Sequence, residues 1–235
     1  MLFFTILLYN GGCLLGGWKM LGWSYAIAVV SGYLIGSIPW ALIIGKKYYD
    51  KDIRNYGSHN LGGTNAGRVL GAKAGAVVIL LDITKVVLVF LLNYLLMTQV
   101  FGLTEYTIQL YLAGIMAEIG HCYPFCAQFR GGKAVSAYTG FMLSTNWLIT
   151  IIMFLIYGIV LKKTKMVSLS ALISSACGMI LGFIPIFQFG MCYHMQQNWM
   201  LGAAIGCGTI LLWIRHRQNI QRIMTKTERK ISWLK

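Results

Sequence analysis

The sequence predicts an all-α fold: a polytopic membrane helix bundle with about seven transmembrane helices, the N-terminus outside and the C-terminus cytoplasmic. Three observations predict it. Of 235 residues, 57% are hydrophobic and only 11% are charged, whereas a soluble globular domain carries about 25% charged residues. The charges gather in short blocks between apolar stretches of roughly 15–25 residues, the length of helix that crosses ~30 Å of hydrocarbon. Those blocks are basic on alternate loops only, which orients the chain.

The apolar segments run 23–45, 72–97, 108–125, 134–144, 147–161, 168–187 and 199–214. Trp23, Trp147 and Trp199 stand at segment starts, as interfacial aromatics do. Gly32-x-x-x-Gly36 in the first segment, Gly178-x-x-x-Gly182 in the sixth and Gly202-x-x-x-Gly206 in the seventh put small residues on one helix face. Such faces allow close backbone approach, although membrane helices are rich in glycine in any case. Asp82 and Lys85 lie three apart in the second segment and are expected to pair, since ionisable groups inside a membrane need partners. The third segment ends at Pro124, just after Glu118 and His121. The fourth and fifth segments are short and nearly continuous, so a re-entrant or half-buried pair is the alternative to two spans.

Loop one holds Lys46, Lys47, Lys51, Arg54, Arg68 and Lys73; loop three holds Arg130 and Lys133; loop five holds Lys162, Lys163 and Lys165. The tail holds Arg215, Arg217, Arg222, Lys226, Arg229, Lys230 and Lys235. With seven spans all of these fall on one side, the cytoplasm. Merging segments four and five would put loop five on the wrong side. Residues 1–22 read as an N-terminal extension, 23–231 as a single membrane domain and 232–235 as a tail. Within the extension, an interfacial anchor and a stretch preceding a true start at Met20 are the two readings.

The excess of 20 Lys+Arg over 6 Asp+Glu is therefore mainly topological. A helix-rich membrane chain offers no continuous basic face for nucleic acid, and none is expected as a partner. The six cysteines make no C-x-x-C pair, so neither a disulfide framework nor a zinc site follows. Glu118-x-x-His121 echoes a carboxylate–histidine metal motif, but di-iron bundles need two such motifs and further carboxylates. No metal and no cofactor are expected. No G-x-S-x-G occurs, which argues against a serine hydrolase.

Four blocks carry chemistry, all on the side assigned to the cytoplasm. The first, Gly57-Ser58-His59-Asn60-Leu61-Gly62-Gly63-Thr64-Asn65-Ala66-Gly67-Arg68-Val69-Leu70-Gly71, combines glycines that let backbone N–H groups approach an anion with hydroxyl, amide and guanidinium donors. In the second, His121 is followed by Arg130-Gly131-Gly132-Lys133, a glycine pair and a cation at the expected start of a helix, where amides and dipole favour anions. In the third, Ser168 enters the sixth segment, either as a cap or as a ligand. In the fourth, Arg215-His216-Arg217-Gln218-Asn219 places His216 and Asn219 on one face if the helix continues.

These blocks resemble the motifs of the acyl-phosphate-dependent glycerol-3-phosphate acyltransferases, the PlsY family. The likeness covers about 23–231, and four ordered motifs at matching spacing make it specific. It implies a seven-span bacterial inner-membrane enzyme with a cytoplasmic active site. The reaction implied moves a fatty acyl group from acyl phosphate to the 1-hydroxyl of glycerol 3-phosphate, giving lysophosphatidic acid, with no enzyme nucleophile. The partners implied are acyl phosphate, glycerol 3-phosphate and membrane lipid. By resemblance Ser58, Arg68, Lys133, His216 and Asn219 are the catalytic residues. Gly57, Asn60, Gly62, Asn65, His121, Gly131, Gly132 and Ser168 match further substrate- or phosphate-binding positions. Departures from the family pattern are His59 for glycine, Gly63 for alanine, Arg130 for lysine, Ala171 for serine, Gln218 for glutamate, and Glu118 beside His121. The competing classes are an impaired paralogue and a transporter or binding protein for an anionic solute. A transporter would show internal repeats and midplane binding groups on broken helices; the sequence shows no repeat.

Overall fold

A computed structural model describes residues 20–196 and 198–231. The first predicted segment is two helices, α1 (20–36) and α2 (Trp40–Tyr49). Proline lacks an N–H and disfavours helix at the residue before it, so Ser37-Ile38-Pro39 breaks the run. Loop one then folds a short helix, α3 (Gly63–Leu70), against the long α4 (Ala72–Leu95). α5 (Thr107–Cys122), α6 (Val135–Thr145), α7 (Trp147–Thr164), α8 (Val167–Gly182), α9 (Met200–Arg215) and α10 (Arg217–Met224) follow. No named strand occurs among the described residues.

Three stretches are long and apolar enough to cross a membrane: Met20–Tyr49, Ala72–Val100 and Trp147–Thr164. α5, α8 and α9 have 16 residues each, about 24 Å at 1.5 Å per residue. α6 has 11, about 16 Å by the same rise, and packs between α4 and α7 with most of its residues buried. The break before α7 is made by buried Asn146, whose side chain accepts from the Ile149 amide at 2.9 Å and donates to the Phe187 carbonyl at 2.9 Å.

Polarity is inverted relative to a soluble bundle. α4 exposes Val77, Leu80, Leu88 and Leu95 and buries Asp82, Lys85 and Asn93, as expected where lipid is the outer solvent. The main core gathers Phe90, Leu110, Phe141, Ile205 and Leu212. A second, smaller core of Ile53, Leu61, Ala66, Leu70 and Val78 lies under loop one and holds it as a folded unit. The small-residue faces are used unequally. A Cβ on Gly32 or Gly36 would collide with the backbone of Ala113 or Ala117 on α5, and one on Gly182 would meet Gly202 Cα at 2.9 Å. Gly206 has only ordinary contact room.

Candidate active site

Loop one is shaped by Asn65. Buried on the first turn of α3, it holds its amide nitrogen 3.2, 3.1 and 3.0 Å from the carbonyls of Ile53, Tyr56 and Asn60, which share its two hydrogens, and its oxygen accepts from the Ser58 amide at 2.8 Å. This clasp draws Gly57–Asn60 into a tight turn. Gly57 has φ +65° and His59 φ +57°, so position 59 occupies the left-handed region that favours the family glycine. His59 is held there by contact of Nδ1 with the Arg54 carbonyl at 2.9 Å. Asn60 donates to the Gly131 carbonyl at 3.3 Å, tying loop one to loop three.

Loop three departs from the expectation. The helix begins at Val135, two residues after Lys133, with Ala134 at φ +66°. The amides of Gly131 and Gly132 are occupied, donating to Cys122 O at 3.1 Å and His121 O at 2.9 Å. They therefore offer no free N–H to an anion. The glycines are needed for closeness instead: a Cβ at Gly131 would strike the His121 carbonyl, and one at Gly132 the His121 ring. Their carbonyls face Arg215, which donates to Gly132 O at 3.0 Å and to Gly131 O at 3.3 Å while stacking over Tyr123. Arg215 thus props the turn that carries Lys133, a role its place in a basic anchor did not signal.

One cavity of about 930 Å³ collects the four blocks. Gly57, Ser58, Asn60, Gly62, Asn65, Arg68, His121, Lys133, Ser168, His216 and Asn219 line it; Gly131 and Gly132 sit behind. Lys133 Nζ donates to Asn219 Oδ1 at 2.6 Å. Burial, with repulsion from Arg222, lowers its pKa to about 8. Burial and the neighbouring Arg229 also lower that of Arg68. Cations pressed together in this way form a site for an anion.

His216 Nδ1 lies 2.9 Å from the Leu212 carbonyl. A carbonyl only accepts, so Nδ1 carries the hydrogen and Nε2 of the neutral ring bears the lone pair. Burial lowers its pKa to about 4, so the ring is neutral at pH 7 and Nε2 is an acceptor, suited to a hydroxyl donor. Glu228, the only carboxylate among the described lining residues, accepts from Ser168 Oγ and Asn219 Nδ2 at 2.7 Å each and pairs with Arg222 at 2.8 Å. Burial works to raise its pKa, but these hydrogen bonds outweigh it and hold the carboxyl below its usual range. Ser168 thus lines the cavity with its hydroxyl hydrogen already given to Glu228. Glu228 lies nine residues past Asn219 in a basic tail, and no local motif marks it.

The same cavity is also lined by apolar side chains, among them Ile79 and Ile83 of α4, Val135 and Met142 of α6, and Met153 and Phe154 of α7. A cationic head site in a cavity that also has apolar walls fits a ligand with an anionic group on a hydrocarbon chain. A family model described as glycerol-3-phosphate acyltransferase matches residues 26–226. The chain belongs to this family. The glycerol-3-phosphate acyltransferase of Bacillus subtilis strain 168 is 40% identical over 209 residues, 89% of this chain and 98% of that one. That of Listeria welshimeri is 41% identical over 202 residues, 86% and 94% of the two chains. The crystal structure of PlsY (YgiH), an integral membrane glycerol 3-phosphate acyltransferase, in its glycerol 3-phosphate form, superposes with a TM-score of 0.74 at 29% identity. It covers 90% of this chain and 97% of that one. The lysophosphatidic acid form gives 0.71.

Proposed function

We propose that this membrane enzyme acylates the 1-hydroxyl of glycerol 3-phosphate with acyl phosphate as donor, at the cytoplasmic face of a seven-span bundle in a bacterial inner membrane. The observation that carries the reading is that Arg68 and Lys133 line the same cavity as the apolar side chains of Met142, Met153 and Phe154. The reading takes 23–231 as one catalytic domain, with 1–22 and 232–235 outside it.

The chemistry asks little of a nucleophile. Acyl phosphate is a mixed anhydride, already activated, so the protein must chiefly neutralise phosphate and orient a hydroxyl at the carbonyl. Arg68, Lys133 and Ser58 hold phosphoryl oxygens. Asn219 keeps the Lys133 ammonium turned into the cavity. His216 Nε2 accepts the hydrogen bond of the attacking hydroxyl and so orients its oxygen. That oxygen adds to the acyl carbon, the bond from the acyl carbon to the phosphate oxygen breaks, and the hydroxyl proton shifts from its hydrogen bond with His216 Nε2 to the departing phosphate. Atoms and charge balance with no acyl-enzyme. The apolar wall formed by Met142, Met153 and Phe154 suits the acyl chain of such a donor.

The test is purified protein in detergent with labelled glycerol 3-phosphate and, in parallel, acyl phosphate, acyl-CoA and acyl-ACP. Labelled lysophosphatidic acid from acyl phosphate alone is the expected result. Product from a thioester alone would overturn the donor, and no product from any donor would favour an impaired paralogue. Incubation with labelled acyl phosphate and no acceptor should leave no adduct after denaturation; a stoichiometric adduct on Ser58, Ser168 or a cysteine, discharged by glycerol 3-phosphate, would sink direct transfer.

A further inference from the structure

The mechanism leaves unused a charged cluster inside the bundle. Asp82 and Lys85 of α4 and His121 of α5 are at most 4% exposed at their side chains. Lys85 Nζ lies 2.8 Å from Asp82 Oδ1, 2.8 Å from the Ile38 carbonyl and 3.2 Å from His121 Nδ1. An ammonium has three donors and no lone pair. Three acceptors therefore satisfy it completely, provided that Nδ1 is one of them. A hydrogen on Nδ1 would set donor against donor at 3.2 Å. The rival arrangement, Nδ1–H donating to Asp82 Oδ1, has a separation of 3.4 Å and would leave a buried ammonium hydrogen unpaired, which is costly in a low-dielectric interior. Donor counting thus places the histidine hydrogen on Nε2.

The Nδ1 edge of the ring faces this cluster, and His121 is among the residues that line the cavity. Nε2 lies under the Gly131–Gly132 turn, where a Cβ on Gly132 would collide with it. Nε2 makes no hydrogen bond among the described residues. We propose that Asp82 and Lys85 are positioning residues: they lock His121 as the neutral Nε2–H tautomer, so that it presents one uncharged donor to an anionic phosphoryl oxygen in the cavity. The proposal rests on the acyl-transfer reading for the identity of that anion. The same lysine holds the Ile38 carbonyl freed by the α1–α2 break, which ties the broken first helix to the site. His121 and His216 then have opposite roles, one a fixed donor and the other a fixed acceptor.

The test is the 15N spectrum of the full chain labelled at histidine ring nitrogens, in detergent, with His121 assigned by loss of its signals in His121→Asn. The wild-type spectrum should show His121 protonated at Nε2 and His216 at Nδ1. Lys85→Met should release or reverse the His121 tautomer, whereas Asp82→Asn, which keeps an acceptor for Lys85, should preserve it. Glycerol 3-phosphate or an unreactive alkyl phosphonate, added separately, should shift Nε2, and which of them does so names the phosphate recognised. An imidazolium or Nδ1–H form of His121 in the wild type would overturn the proposal without any variant. So would reversal in Asp82→Asn but not in Lys85→Met, or an Nε2 signal that neither ligand moves. The double variant Asp82→Asn/Lys85→Met, which buries no lone charge, serves if Lys85→Met fails to fold, and should also release the tautomer; retention there counts against the proposal. If the tautomer and the ligand shift are present but no donor yields product, the acyl-transfer reading fails and the positioning role stands.

Discussion

Lys133 joins every level of the site, so its substitutions are the most informative at the scale of residues. It has three supports: the turn propped by Arg215, the hydrogen bond to Asn219, and through Asn219 the carboxylate of Glu228. Lys133→Ala should lower kcat/KM about 10–150-fold, the worth of a charge-assisted hydrogen bond at roughly 1.5–3 kcal/mol. Lys133→Arg should recover only part, because a planar fork copies a compact ammonium poorly. Unchanged kinetics in the alanine variant would remove Lys133 from the site. The pH dependence follows from burial. The folded pKa of about 8 lies below the ordinary lysine value, and the protonated form binds phosphate. Affinity for glycerol 3-phosphate should therefore be constant below that value and weaken as pH rises through it, with KM climbing toward tenfold per pH unit. Lys133→Arg should lack this rise, since guanidinium does not titrate there. A KM that climbs equally in both proteins would place the titrating group elsewhere.

Among the elements, the α1–α5 contact is the one most open to a clean test. Gly36 stands so close to Ala117 that any Cβ meets backbone, and backbone of two helices cannot yield as a flexible side chain can. Gly36→Ala should destabilise the protein by about 1–3 kcal/mol, as overpacking typically does, and so lower its melting temperature in detergent. Gly158→Ala on α7, with nothing within 4 Å of the new methyl, should be neutral or slightly stabilising, because alanine is the better helix former. Equal effects at the two sites would mean that the close approach is absent. The sequence pattern found these helices because long apolar runs and a basic residue at alternate loops are one-dimensional signals. It missed what depends on three dimensions. The α1–α2 break was written in Ser37-Ile38-Pro39 but averaged away by hydropathy. α3 was hidden in a glycine-rich stretch, since its stability comes from packing on α4 and not from propensity. The glycine pair suggested open amides, yet both bond back to the chain they turn from. Glu228 and Arg215 could be recognised only once the tail had folded over the cavity, whereas Ser58, Arg68, Lys133, His216 and Asn219 meet in that cavity as their motifs suggested.

At the scale of the whole molecule, the four motif blocks come from loops one and three, the loop-five side and the tail, and they line one cavity. These segments must therefore lie at the same end of the bundle, whichever way it is inserted. Insertion is set by the Lys/Arg bias of short loops. That end carries Lys46 and Lys47 at the close of α2, Lys162 and Lys163 at the close of α7, and the basic run of α10. The opposite turns, around Gly102 and the segment following Pro185, have no lysine or arginine. Arg68 and Arg215, which count toward that bias, also line the cavity, so the charge that would orient the chain would draw an anion to the same place. Single cysteines placed at Lys51, Lys163 and Lys230 in a cysteine-free background should resist a membrane-impermeant maleimide added to intact spheroplasts and react once the membrane is opened. A cysteine at Gly102 should react from outside. Labelling of any of the first three from outside would reverse the bundle, put the cavity on the face away from cytoplasmic glycerol 3-phosphate, and remove the proposed site from its substrate.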